Sequence, residues 1–137
     1  MSNNSLKEFK IAHQSILETI DGIRVNIRDY LRIKSKLKDL EAKLLLHFGK
    51  QDIAFFARLQ EFYASASSTI KIISFLGDDL KDIKVKTLVF FDRYPAEIGD
   101  IGKPMFPLDF MEFSKTVISR IEIEENFLLP LLKKMAV

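Results

Sequence analysis

The sequence predicts an all-α protein, an up-down-up-down four-helix bundle. Three observations carry this. Four stretches place apolar residues at alternating spacings of three and four, the signature of a helix with one buried face. Glycine and proline are scarce before Tyr94, so little interrupts those stretches. Period-two alternation appears only locally, as in Arg120-Ile121-Glu122-Ile123-Glu124, where the longer helical pattern overrides it. The 137 residues form one expected domain, 1–137, long enough for a true core, with no internal repeat, low-complexity segment or linker.

The first helix is expected to open at Ser5-Leu6-Lys7-Glu8, which has the form of a capping box. Its stripe is Phe9, His13, Ile16, Ile20, Ile23 and Ile27, and it frays between Asp29 and Arg32. The second carries Ile33, Leu37, Leu40, Leu44, His47, Gln51 and Ala54 and runs to Phe62 or Tyr63. Its basic start, Arg32 to Lys38, reads as a solvated helix side. The run Ala64 to Ser68 reads as a short connection supplying a serine or threonine cap.

The third helix has Ile73, Leu76, Leu80, Ile83, Thr87 and Phe90 or Phe91, and stops at Tyr94-Pro95. Gly77 inside it costs about 1 kcal/mol of helix propensity. Pro95, Gly99, Gly102, Pro104 and Pro107 then mark a long loop, with Met105, Phe106 and Leu108 tucked against the bundle end. The fourth helix has Phe110, Phe113, Val117, Arg120, Glu124, Phe127 or Leu128, and Leu131. Pro130 is expected to kink or end it, since proline removes a hydrogen bond and clashes with the preceding turn. The phenylalanines, among them Phe48, Phe55, Phe56, Phe90, Phe91, Phe113 and Phe127, read as core filling.

Bulk chemistry narrows function. The 21 basic and 19 acidic residues nearly cancel to +2, a weak field for nucleic acid or an anionic membrane. The absence of cysteine excludes disulfides, thiolate metal sites and cysteine nucleophiles. No signal-peptide-like N-terminus and no apolar window of about 18 residues is present, so a cytoplasmic protein is expected. No glycine-rich phosphate loop, nucleophile elbow or zinc motif occurs.

The informative feature is polar. His13, the pair His47 and Gln51, and the pair Arg120 and Glu124 interrupt three apolar stripes at mid-length. Residues four apart share a helix face, so five polar groups point toward one interior level. Burial is costly unless such groups are partnered. Facing histidines and carboxylates are how helical bundles hold metals. Each group also has a plain explanation: a hydrogen-bonded core histidine, or an Arg120–Glu124 ion pair one turn apart. Asp78 and Asp79 flank the third stripe beside Leu80, with surface acidity as the first reading and an inward reach as the second.

The segment Leu46-His47-Phe48-Gly49-Lys50-Gln51-Asp52-Ile53-Ala54-Phe55-Phe56 resembles the "His-x-x-x-Glu, then an aromatic" segment of hemerythrin-like, or HHE cation-binding, domains. Arg120-Ile121-Glu122-Ile123-Glu124-Glu125-Asn126-Phe127-Leu128-Leu129-Pro130 is similar to their "His-Ile-x-x-Glu-Glu-x-x-Leu-Tyr-Pro" segment. The resemblance implies a four-helix bundle. In typical members such a bundle holds two irons and binds dioxygen, or senses oxygen, nitric oxide or iron. It also implies that His13, His47 and Glu124 stand at ligand positions. Gln51 stands where the family has a glutamate and Arg120 where it has a histidine. The third-helix histidine is missing, with Asp79 near its place.

Those departures imply a degenerate site. A guanidinium cannot deprotonate, and its charge beside a metal is costly in a low-dielectric interior. The expected function is a non-catalytic regulatory or protein-interaction module with no cofactor, in which Arg120 replaces the metal. The alternative is an iron or other metal sensor or carrier, using one or two ions on His13, His47 and Glu124. A carboxylate-bridged oxidoreductase has too few carboxylates left.

Overall fold

The structure, a computed structural model, describes residues 3–95 and 103–136, with side chains from Leu6 onward. The described residues are helical throughout apart from short connections, with no strand among them. The elements are α1 (Asn3–Val25), α2 (Tyr30–Gly49), α3 (Ile53–Phe62), α4 (Ser67–Arg93), α5 (Phe106–Ile123) and α6 (Leu129–Met135). A single π-helical turn, Glu124–Leu128, joins α5 to α6. None of these helices is long and apolar enough to cross a membrane. Helix α1 packs on α2, α2 on α4, α4 on α5, and α5 back on α1.

The apolar stripes build the interior. Ile16, Ile20 and Ile23 of α1 meet Ile33, Leu37, Leu40, Leu44 and Phe48 of α2. Leu80, Ile83, Phe90 and Phe91 of α4 and Phe106, Phe110, Phe113, Val117 and Ile121 of α5 complete this cluster. A fully buried aliphatic side chain in it contributes about 1.5–3 kcal/mol. A second cluster holds Phe9, Phe55, Leu59, Tyr63, Ile73, Leu76, Leu128, Leu129 and Leu132. Far from the second cluster, Arg93 and the hydroxyl of Tyr94 both reach Asp109, which ties the end of α4 to the first turn of α5. At the other end the Tyr63 hydroxyl donates to the Leu131 carbonyl at 2.6 Å.

Several elements depart from the sequence reading. Helix α1 begins at Asn3, so Ser5 lies inside it and not at its cap. Asp29 is the N-cap of α2, accepting from the Arg32 amide, and gives that helix a defined start after the turn at residues 26–29. The expected second helix is two helices. Asp52 Oδ1 accepts from the Phe55 amide at 2.8 Å and restarts the chain as α3, which rotates the inward face to Phe55 and Leu59 and leaves Ala54 exposed. Helix α4 has Ala66 at its N-cap with no side-chain bond, so no hydroxyl caps it.

Phe106 is buried as expected, but Met105 and Leu108 are exposed and do not tuck in. Phe127 also faces out, and Leu128 takes the core position. The part of the expected loop at residues 96–102 lies outside the described residues.

Pro130 does not end the last helix. Its ring would clash with the Asn126 carbonyl of a regular helix, and it has no N–H to donate. The chain widens by one residue instead: the Leu129 amide bonds to the Glu124 carbonyl, five residues back. Pro130 then falls in the first turn of α6, where its missing donor costs nothing.

Candidate functional site

The two apolar clusters are separated by one polar layer. His13 lies between Phe9 of one cluster and Ile16 of the other, and Glu124 lies between Ile121 and Leu128. His13, His47, Gln51, Arg120 and Glu124 are all buried, each no more than 3% exposed. All five sequence-selected groups therefore meet. Gln51 arrives by an unexpected route. It belongs to no helix but occupies the break between α2 and α3, where its amide N–H bonds to the Phe48 carbonyl.

Glu124 is the hub. Its Oε1 accepts from Nε2 of His13 and from Nε2 of His47, each at 2.7 Å. Its Oε2 accepts from Arg120 Nε at 2.8 Å and from Gln51 Nε2 at 2.9 Å. An ionised carboxylate only accepts, so both histidines must carry a proton on Nε2. Burial alone would raise the Glu124 pKa. The hydrogen bonds from His13 and His47 and the charge of Arg120 outweigh it and hold the carboxyl well below the usual range.

Arg120 is buried to 1% and surrounded by acceptors. Nη1 donates to the Leu76 carbonyl at 2.9 Å and to Asp79 Oδ2 at 3.1 Å, and Nη2 donates to Gln51 Oε1 at 2.8 Å. Gln51 thus touches both members of the ion pair, giving a hydrogen bond to one and taking one from the other. Among the described residues no buried side-chain nitrogen or oxygen lacks a partner. That completeness matters, because an incompletely satisfied buried ion pair loses more to desolvation than it recovers. Asp79 turns inward to this pair, the second of its two readings, while Asp78 stays exposed.

Glu125 is a member the sequence reading missed. It is 40% exposed, and its Oε1 lies 2.6 Å from His13 Nδ1. Helical periodicity puts a residue next to Glu124 on the outer side. The π turn widens the backbone here, and both carboxyl groups reach one imidazole. The available signal was Pro130, placed so that a regular helix would drive its ring into the Asn126 carbonyl. With a carboxylate at each nitrogen, His13 satisfies both only as imidazolium. Burial lowers its pKa, but the hydrogen bonds to Glu124 and Glu125 and their charges prevail, and the pKa is raised.

The same atoms bear on metal binding. One donor atom each from His13, His47 and Glu124 lies within 4.8 Å of the others, so they could converge on one cation. The surrounding donors fit that poorly. Glu124 has both oxygens engaged, Oε1 by His13 and His47 and Oε2 by Gln51 and the Arg120 guanidinium. The layer's three carboxylates are already taken up, Glu124 by His13, His47, Gln51 and Arg120, Glu125 by His13, and Asp79 by Arg120.

Neither a protein-family model, nor a curated protein, nor a solved structure matches this chain.

Proposed function

We propose that this chain is a non-catalytic helical module for regulation or protein interaction, in the cytoplasm, whose buried polar layer is a metal-free ion-pair network. In this reading it is an up-down-up-down four-helix bundle of hemerythrin-like kind, formed by α1, α2 with α3, α4, and α5 with α6. The circuit of packing from α1 through α2, α4 and α5 supports that arrangement. The resemblance of the His47 and Glu124 segments supports the family.

One observation carries the functional reading. Arg120 Nε is 2.8 Å from Glu124 Oε2, and Gln51 bridges the two. The guanidinium supplies the positive charge that a metal supplies elsewhere in such layers, and it cannot be lost by deprotonation. A protein partner is part of this proposal, and no cofactor is.

The test is metal content. Protein purified from iron-replete medium should contain far less than one equivalent of iron, manganese or zinc. Stoichiometric metal would overturn the proposal. The convergence of His13, His47 and Glu124 favours a second reading, a sensor or carrier of one or two iron ions. It requires Arg120 to swing away from Glu124, and ligand-to-metal absorption after exposure to dioxygen or peroxide would reveal it.

A further inference from the structure

His47 has a nitrogen that the polar layer does not use. The residue is 3% exposed and its Nε2 is committed to Glu124. Among the described residues its Nδ1 makes no hydrogen bond, yet no fully buried side-chain nitrogen there is without a partner. Nδ1 is therefore not sealed in. It opens onto the cleft between α1 and the α2–α3 break, which His47 lines on two sides.

That cleft has two neighbouring compartments sharing the lining residues Glu8, Ala12, His47 and Lys50. One, of about 310 Å³, is walled by Ile11, Ile16 and Leu46. The other, of about 160 Å³, is walled by Phe9 and Phe55 and edged by Arg58. The first lies at the small end of ligand pockets, which run from about 300 Å³ upward. Ile11 and Leu46 are 68% and 64% exposed, an apolar surface with nothing packed on it. Lys50 and Arg58 form no ion pair or hydrogen bond among the described side chains, in contrast to Lys43, which is held by Asp39 and Thr19.

The geometry points to a binding site for a small hydroxycarboxylic acid with an apolar body. Lys50 and Arg58 take the carboxylate, Arg58 offering a planar fork of donors. The hydroxyl, which can both donate and accept, pairs with His47 Nδ1, the ring nitrogen left free by the Nε2 bond to Glu124. The apolar body lies along Ile11 and Leu46. Glu8, on the shared rim, disfavours acids with a second carboxylate. The inference rests on the metal-free reading of the layer, since a metal on Nε2 would break the bond to Glu124 that holds the His47 ring in this place. Occupancy would be felt at once by Glu124, one hydrogen bond away, and this makes the cleft a place where a small molecule can act on the buried network.

The experiment titrates the full chain, after metal analysis of the same sample, with 4-hydroxyphenylacetate and 6-hydroxyhexanoate. Calorimetry and the imidazole ¹⁵N signals of His47 give the readout. At least one acid should bind saturably and shift Nδ1. Phenylacetate and hexanoate should bind about tenfold more weakly, because each leaves Nδ1 unpaired. Lys50→Ala combined with Arg58→Ala, both at exposed positions, should abolish binding without changing the melting temperature. Saturable binding of neither hydroxy acid to metal-free protein overturns the inference. So does equal affinity for the hydroxyl-free acids, or unchanged affinity in the double variant. Metal in the starting sample instead overturns the metal-free reading, which separates the two failures.

Discussion

Arg120 and Glu124 stand one helical turn apart, both at most 1% exposed, with Nε and Oε2 2.8 Å apart. An exposed pair at this spacing stabilises a helix by only about 0.3–0.5 kcal/mol. Here neither charge has water to return to, so each depends on the other and on the groups that complete its hydrogen bonds.

Removing one partner should therefore be far costlier than removing both. Glu124→Gln leaves the guanidinium buried without its counter-charge, and a loss of about 3–5 kcal/mol is expected. Arg120→Met should cost a comparable amount by stranding the carboxylate. The combined Arg120→Met and Glu124→Leu variant should lose much less than the sum. Urea denaturation of the three variants measures this, and additive losses would contradict the coupling.

Stability should depend on pH from both sides. Glu124, with a folded pKa below its ordinary 4.5, contributes fully above that value and loses its contribution as pH falls through the depressed folded pKa. His13, with a folded pKa above its ordinary 6.5, contributes fully below that value and loses its contribution as pH rises through the raised folded pKa. Both contributions are complete between 4.5 and 6.5. The groups facing them are Glu125, His47, Arg120 and Gln51. Denaturation midpoints of the wild type minus those of His13→Gln should fall above pH 6.5, and a flat difference would remove His13 as the cause.

Installing the residues of hemerythrin-like segments should bring metal. The double variant Arg120→His and Gln51→Glu removes the competing cation and adds a carboxylate beside His13, His47 and Glu124. Elemental analysis should find more iron or zinc per chain than in the wild type. A double variant that folds but takes up no metal would refute the positional match to hemerythrin-like segments.

The break that positions Gln51 depends on a cap. Asp52→Ala removes the acceptor for the Phe55 amide and should cost about 1 kcal/mol. Faster hydrogen exchange at Phe55 and Phe56 should accompany it, while amides near His13 stay protected. Unchanged exchange would mean that packing of Phe55 and Leu59, and not the cap, holds α3.

Much of the helical frame could be read from apolar spacing, because a stripe such as Ile33, Leu37, Leu40 and Leu44 has only one periodicity that buries it. The residues of the polar layer were legible for the same reason: each interrupts such a stripe. Where local chemistry competes with periodicity, spacing misled. Asp52 turned one expected helix into two, and Pro130 was absorbed by a π turn that brings Glu125 to His13.

The sequence by itself determined the all-α class, most of the inward faces and the presence of five polar groups at one depth, since these follow from side-chain type and helical repeat alone. Only the tertiary structure decided who bonds to whom. The turn of Asp79 toward Arg120, the bridging position of Gln51 and the sharing of one Glu124 oxygen by two histidines join residues 41 to 111 positions apart. Hydrogen bonds act over about 3 Å, so such choices exist only once the helices have packed.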